Sequence, residues 1–315
     1  MELKRLNCHT EIFLWRFFVH SILVTIPITP EPVLRAFAQL TGRVAFSLSG
    51  KRRKLAVSNL ASAFKHEKSP LEITTIARQV FCEIALNTVD AAIFFLKKPD
   101  INRALSEYIS VEGTEYMDEA LKAGKGVICV SAHFGNFMIM SLRLSLMGYP
   151  CNTILKDRIN PVVSEIWQDL RRKVGINWIP ARPRIRAVSG SLKWLKKGGI
   201  LFLYADQHKK DGVDVTFFNR PAGTVEGPAM FHLRTGAPLL CAFIVRTGDK
   251  NYKIVITPPI DIQQSGDRDA DVHAVTQAYT AVIEAFIRKY PEQWWWPHKR
   301  WAKNIPSLSD PKDIL

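Results

Sequence analysis

The hydrophobic pattern of this chain changes character twice. Residues 12–26 are almost continuously apolar, broken by Arg16 and His20 and closed by Pro27. That run is shorter than the roughly twenty residues a spanning helix needs. From there to about residue 107 the apolar positions keep helical spacing. Thr29-Pro30 opens one segment, and Ser69-Pro70-Leu71-Glu72 is a capping box with proline at the first helical position, heading a helix over 73–97. Beyond Val111 short apolar runs alternate with helical stretches. Residues 126–130, 152–155 and 199–205 read as buried strands, while Leu239–Arg246 and 252–257, joined through Gly248, Asp249 and Asn251, read as an antiparallel hairpin. Helices are predicted from a cap at Thr114, over 136–146, from Asn160-Pro161 and over 271–290. Such alternation predicts an α/β fold, a mixed sheet flanked by helices, with an amino-terminal helical membrane-associating segment. The divisions are 1–28 as membrane anchor, 29–107 as helical layer and 108–315 as α/β core, with one continuous domain from about residue 29.

Charge sharpens the picture. The formal net charge is +14, gathered at Lys51-Arg52-Arg53-Lys54, Arg171-Arg172-Lys173, Arg182/Arg184/Arg186, Lys193/Lys196/Lys197 and Lys299-Arg300. Anionic lipid, phosphorylated substrate and nucleic acid all answer such charge. No recognised DNA- or RNA-binding motif accompanies it, whereas apolar segments do, so lipid is preferred and no nucleic-acid partner is expected. Lys4 and Arg5 ahead of the first apolar run give it some likeness to a signal peptide, but no small-residue cleavage site follows. We read 1–28 as a retained anchor, interfacial in preference to spanning, with Trp15 and its phenylalanine neighbours inserted. The 5 cysteines are scattered without a C-x-x-C pair, which suggests neither a disulfide framework nor a zinc site, and fits a reducing cytoplasm for the folded part.

Candidate chemistry sits where the run 126–130 ends. Ser131-Ala132-His133-Phe134-Gly135-Asn136-Phe137-Met138 places a histidine at the carboxyl end of a buried strand and before a helix. Ligand crevices of open α/β sheets lie outside that edge. A packed structural histidine is the competing reading of the position alone. Asp206-Gln207 ends the strand 199–205 in the same way.

Residues 131–138 resemble the histidine box of the lysophospholipid acyltransferases, specifically the branch of the lipid A late acyltransferases and related mannoside acyltransferases. Further blocks carry the likeness: Lys156 four positions before Asn160-Pro161; Asp206-Gln207; 215–222 with Asn219-Arg220-Pro221; Gly227-Pro228-Ala229; and 234–238. Arg53 with Asn59-Leu60-Ala61 resembles the family's amino-terminal signature, and 291–301 its carboxy-terminal one. The resemblance implies a membrane-associated enzyme of lipid A, and hence lipopolysaccharide, or other glycolipid synthesis. It would move a fatty acyl group from an acyl carrier protein or coenzyme A thioester to a hydroxyl of a glycolipid, lipid A precursor or lysolipid. It implies work at the cytoplasmic face of the cell inner membrane, among anionic lipids, with no bound cofactor and no metal.

His133 is then the general base. Gly135 and Asn136 could offer backbone N–H groups to the oxyanion, and Lys156, where the family favours Arg, could offer a full charge. Gln207, Arg220, Asn136 and Lys156 are the candidate substrate-binding residues. Met138 departs from the pattern, for it stands where the family places the carboxylate that partners the histidine. A thioether can neither orient an imidazole nor stabilise an imidazolium. Asp206 as stand-in acid, an unassisted His133, and a non-catalytic lipid-binding homologue are the three explanations, in that order. Trp294, Trp295, Trp296 and Trp301 beside Lys299 and Arg300 read as an interfacial belt.

Overall fold

Ser69 starts the longest helix as its sequence requires. Its hydroxyl accepts the Glu72 N–H at 3.3 Å and its own N–H donates to the Glu72 carboxylate at 2.8 Å. A computed structural model describes residues 21, 23–65, 67–156 and 177–301 of the chain. Most of the expected anchor, and the helix expected from Asn160-Pro161, lie outside the described residues.

The order of elements is α1 Glu31–Leu48, α2 Gly50–Phe64, α3 Pro70–Lys97, α4 Ile101–Tyr108, β1 Ile109–Glu112, α5 Thr114–Lys122, β2 Val127–Ser131, α6 Phe137–Leu146, β3 Cys151–Leu155 and β4 Asn177–Pro180. After these come α7 Arg184–Lys196, β5 Ile200–Tyr204, β6 His208–Phe217, β7 Arg220–Thr224, α8 Gly227–Thr235, β8 Leu239–Arg246, β9 Tyr252–Ile256 and α9 Arg268–Lys289. Seven strands form one mixed sheet in the order β1-β9-β8-β2-β5-β3-β4, and β6 and β7 form a separate hairpin. Strands β8, β2, β5, β3 and β4 run parallel, while β8 pairs antiparallel with β9.

Both faces of the sheet are covered, so its central strands are apolar without alternation. Ile128, Val130, Leu201 and Phe243 face one core with α2, α3, α9 and the carboxy-terminal tryptophans. Val127, Cys129, Phe202 and Ile244 face the other with α4, α5 and α6. Helix α3 is long and apolar enough to cross a membrane by length and composition. Its place in this fold is internal, because Asp90 on it is fully buried and paired with Arg35 of α1 at 2.9 Å and Arg246 of β8 at 2.8 Å.

Several expectations shift. Gly113, not Thr114, caps α5, with φ at 81° where glycine is favoured. Trp294, Trp296 and Trp301 are buried and only Trp295 is exposed, so the tryptophans are core and not a belt. The hairpin β6–β7 escaped the reading because its turn is Phe218-Asn219, both at positive φ, a conformation usually signalled by Asn-Gly. Here tertiary packing compensates, since the Phe218 ring meets Phe64 and Trp296.

Helix α1 lies so close to α3 that a Cβ on Gly42 would come within 2.5 Å of the Cys82 Cα. Gly42→Ala should therefore pry the two helices apart, costing about 1–3 kcal/mol as an overpacked contact. Thermal unfolding measures this, and an unchanged melting temperature would contradict the packing described.

Candidate active site

Adjacent parallel strands in register bring the two candidate groups together. Ser131 of β2 pairs with Tyr204 of β5, and His133 and Asp206 each follow two residues later in the chain. His133 Nδ1 lies 2.8 Å from Asp206 Oδ1, and the His133 backbone N–H donates to Oδ2 at 2.9 Å. A third donor, the indole N–H of Trp294, reaches Oδ2 at 2.8 Å. The carboxylate is fully buried, so these three bonds replace the water it has lost.

Electrostatics follow from that arrangement. Burial pushes the Asp206 pKa up, but the His133 charge and the hydrogen bonds from its ring and backbone outweigh it and hold the acid well below the usual carboxylate range. For His133, burial pulls the pKa down, yet the Asp206 charge and hydrogen bond carry it above the ordinary imidazole value. An ionised Asp206 accepts at Nδ1, so Nδ1 holds the proton and Nε2 is the free base. Met138, half-buried against the second core, leaves this position without a carboxylate of its own.

The loop bearing His133 is strapped from outside. Gly135 adopts φ of 53°, and a Cβ there would stand 1.9 Å from the Ile244 carbonyl oxygen. Its N–H donates to the Gln293 carbonyl at 2.8 Å, and the Trp295 N–H donates to the His133 carbonyl at 3.1 Å. Gln293 in turn clamps β8, accepting the Arg246 N–H at 2.8 Å and donating to the Arg246 carbonyl at 3.1 Å.

These contacts correct two expected roles. The Gly135 N–H is committed to Gln293 and cannot serve an oxyanion as drawn from the sequence. Asn136 is fully buried and its side chain donates to the Asn87 carbonyl at 3.0 Å, so it joins the loop to α3 and does not face substrate. Gln207 is exposed, with Nε2 3.5 Å from His133 Nε2. Lys156 is exposed just beyond β3, on the far side of β5 from His133 at the same sheet edge. Arg220 opens β7, its guanidinium over the Trp301 ring, which points to a part in holding the carboxy-terminal segment.

His133 borders a cavity of about 250 Å³ with Ile84, Phe137, Met138, Trp294 and Trp295 among its walls. Glu83 and Glu292 also border it. Among the described residues no three His, Cys, Asp or Glu side chains gather as a metal site. Sequence reasoning missed Trp294 as the third support of Asp206, although the block 291–301 had singled it out.

Comparison with known proteins places the chain among acyltransferases. The chain is 25% identical to a lipid A biosynthesis palmitoleoyltransferase of Escherichia coli over 86% of its own length and 85% of the relative's. It is 24% identical to the lauroyltransferase of lipid A biosynthesis from the same organism, over 88% and 89%. A phosphatidylinositol mannoside acyltransferase of Mycobacterium tuberculosis is 26% identical over 66% of this chain and 65% of that protein. The family model for bacterial lipid A biosynthesis acyltransferases matches residues 1–303. A match of that extent, reaching from the amino-terminal segment through the strap that holds the histidine loop, makes the chain a member of the bacterial lipid A biosynthesis acyltransferase family.

Proposed function

We propose that this acyltransferase moves a fatty acyl group from an acyl carrier protein or coenzyme A thioester to a hydroxyl of a glycolipid, lipid A precursor or lysolipid at the cytoplasmic face of the inner membrane, with His133 as general base. The observation that carries the reading is the buried Asp206 bound to His133 Nδ1 at 2.8 Å. It offers the carboxylate that Met138 cannot, which favours catalysis over a non-catalytic lipid-binding role. His133 Nε2 takes the acceptor's hydroxyl proton as the oxygen attacks the thioester carbonyl, and the imidazolium so formed is stabilised by the Asp206 charge. The tetrahedral intermediate collapses with loss of the thiolate, which recovers the proton from His133. With the Gly135 N–H committed elsewhere, the Phe137 and Met138 N–H groups that open α6, and Lys156, are the candidate oxyanion donors. The apolar walls of the cavity suit an acyl chain, and Gln207 beside Nε2 suits the acceptor.

Acyl transfer from a thioester to a detergent-dispersed lipid A precursor tests the assignment. His133→Ala should lower turnover by about a hundredfold or more, the usual loss for a general base, with folding retained. Wild-type turnover in that variant would end the mechanism.

Asp206→Asn should cost activity severely, by holding the wrong ring tautomer, whereas Met138→Ala should cost far less because a thioether in the cavity wall takes no part in proton transfer. Equal losses in the two variants would overturn the division of roles. The acid limb of kcat/KM reports the His133 pKa, since the neutral ring is the active form. Removing the Asp206 charge leaves burial to act alone, so this limb should move to lower pH in Asp206→Asn. A shift upward, or none, would contradict the electrostatic account.

A further inference from the structure

Helix α1 carries two opposite apolar faces. Arg35, Ala38, Gly42 and Phe46 turn inward and are buried, but Val33, Phe37, Leu40, Val44 and Leu48 face outward. Phe37 is 65%, Leu40 57% and Leu48 80% exposed. At 3.6 residues per turn the five outward positions lie within an arc of about 80°, a continuous stripe along a helix of 18 residues. Val24 and Ile28, in the helical residues just before it, are exposed as well. Scattered exposed apolar residues need no explanation, but a contiguous stripe of large ones marks a contact surface.

We infer that the outward face of α1 is a membrane-docking surface that inserts into an anionic lipid bilayer. Charge selects this occupant. Arg43 is exposed beside the stripe, and exposed Lys51, Arg52 and Lys54 follow its end at Leu48. An apolar face continued by basic residues is the composition of a helix lying in a headgroup layer. Residues 1–20, which precede this region in the sequence, carry Lys4, Arg5 and Arg16 against Glu2 and Glu11, so they cannot neutralise that cluster. A second copy of a chain with net charge +14 would be repelled by it.

The placement also suits the chemistry. Helix α1 rests on α3 at Cys82, and the residues after it, Glu83, Ile84, Asn87 and Thr88, border the His133 cavity. A single helix thus separates the docking helix from the cavity, which keeps the reacting groups within about two helix diameters, ~20 Å, of the lipid surface. This use of the surface rests on the acyl-transfer reading, whereas the docking itself does not.

Full-length protein sedimented with vesicles of phosphatidylglycerol and phosphatidylcholine tests the inference. Phe37→Ser with Leu40→Ser, at exposed positions, should weaken vesicle partition by about tenfold or more, while hydrolysis of a water-soluble acyl thioester stays unchanged. Lys51→Gln with Lys54→Gln should weaken binding to anionic vesicles and lessen its sensitivity to salt. An environment-sensitive fluorophore on Leu40→Cys, corrected with the labelled unsubstituted chain, should shift to the blue when vesicles are added. Unaltered partition in the serine variant would overturn the proposal. So would a label already blue-shifted without vesicles, which would mean that residues 1–20 or a second copy covers the face. Absence of thioester hydrolysis in every form would count against the acyl-transfer reading alone, since the partition and label measurements judge docking without it.

Discussion

A buried negative charge with three donors organises this protein. Isolating a carboxylate from water is costly unless every lone pair facing the interior is met, and removing one partner of a buried pair typically costs about 3–5 kcal/mol. Asp206 is met by the ring and the backbone of His133 and by the Trp294 indole. Those donors come from the end of β2 and from the carboxy-terminal segment, while the carboxylate itself follows β5. Sheet register and the strap at 293–295 are therefore conditions for a stable charge as much as for a reactive histidine. The bridge between Phe134 and Trp294, with the Gly135 N–H held by Gln293, keeps that loop from turning its base away.

A second buried network ties the helical layer to the sheet. Arg246 of β8 bonds Glu83 at 2.8 Å, Asp90 at 2.8 Å and Asn87 at 2.7 Å, and Tyr252 of β9 donates to Asp90 at 2.6 Å. Arg35 brings α1 into the same cluster, and Asn136 brings in the loop after His133. The orientation of α1 relative to the active-site loop is set by hydrogen bonds, most of them charged, that are largely withdrawn from solvent. A docking face on α1 then determines how the cavity meets the lipid.

Much of the architecture was legible because the strong signals are local. The capping box at Ser69, the unbroken apolar strands and the two strand-end motifs with His133 and Asp206 each depend on short-range pattern, and the structure contains them at nearly the expected bounds. What the pattern withheld depends on distant partners. Asn136 looks like a substrate contact until Asn87 is seen to accept its side chain, and Gly135 looks like an oxyanion donor until Gln293 takes its N–H. The carboxy-terminal tryptophans beside Lys299 and Arg300 suggest an interface, yet Arg300 is itself buried over the Phe217 ring and bonded to Gly223 and Thr224. Hydrophobic composition shows that such residues leave water without showing where they go.

The central claim is that Asp206 holds the proton of His133 on Nδ1 and so leaves Nε2 as the base. Nitrogen NMR of the His133 ring reads this directly. In the native protein near neutral pH the neutral ring should be the Nδ1–H tautomer with a hydrogen-bonded Nδ1 proton, and in Asp206→Asn that proton signal should vanish or the tautomer should change. A neutral His133 with its proton on Nε2 in the native protein, or spectra identical in the two forms, would contradict the account.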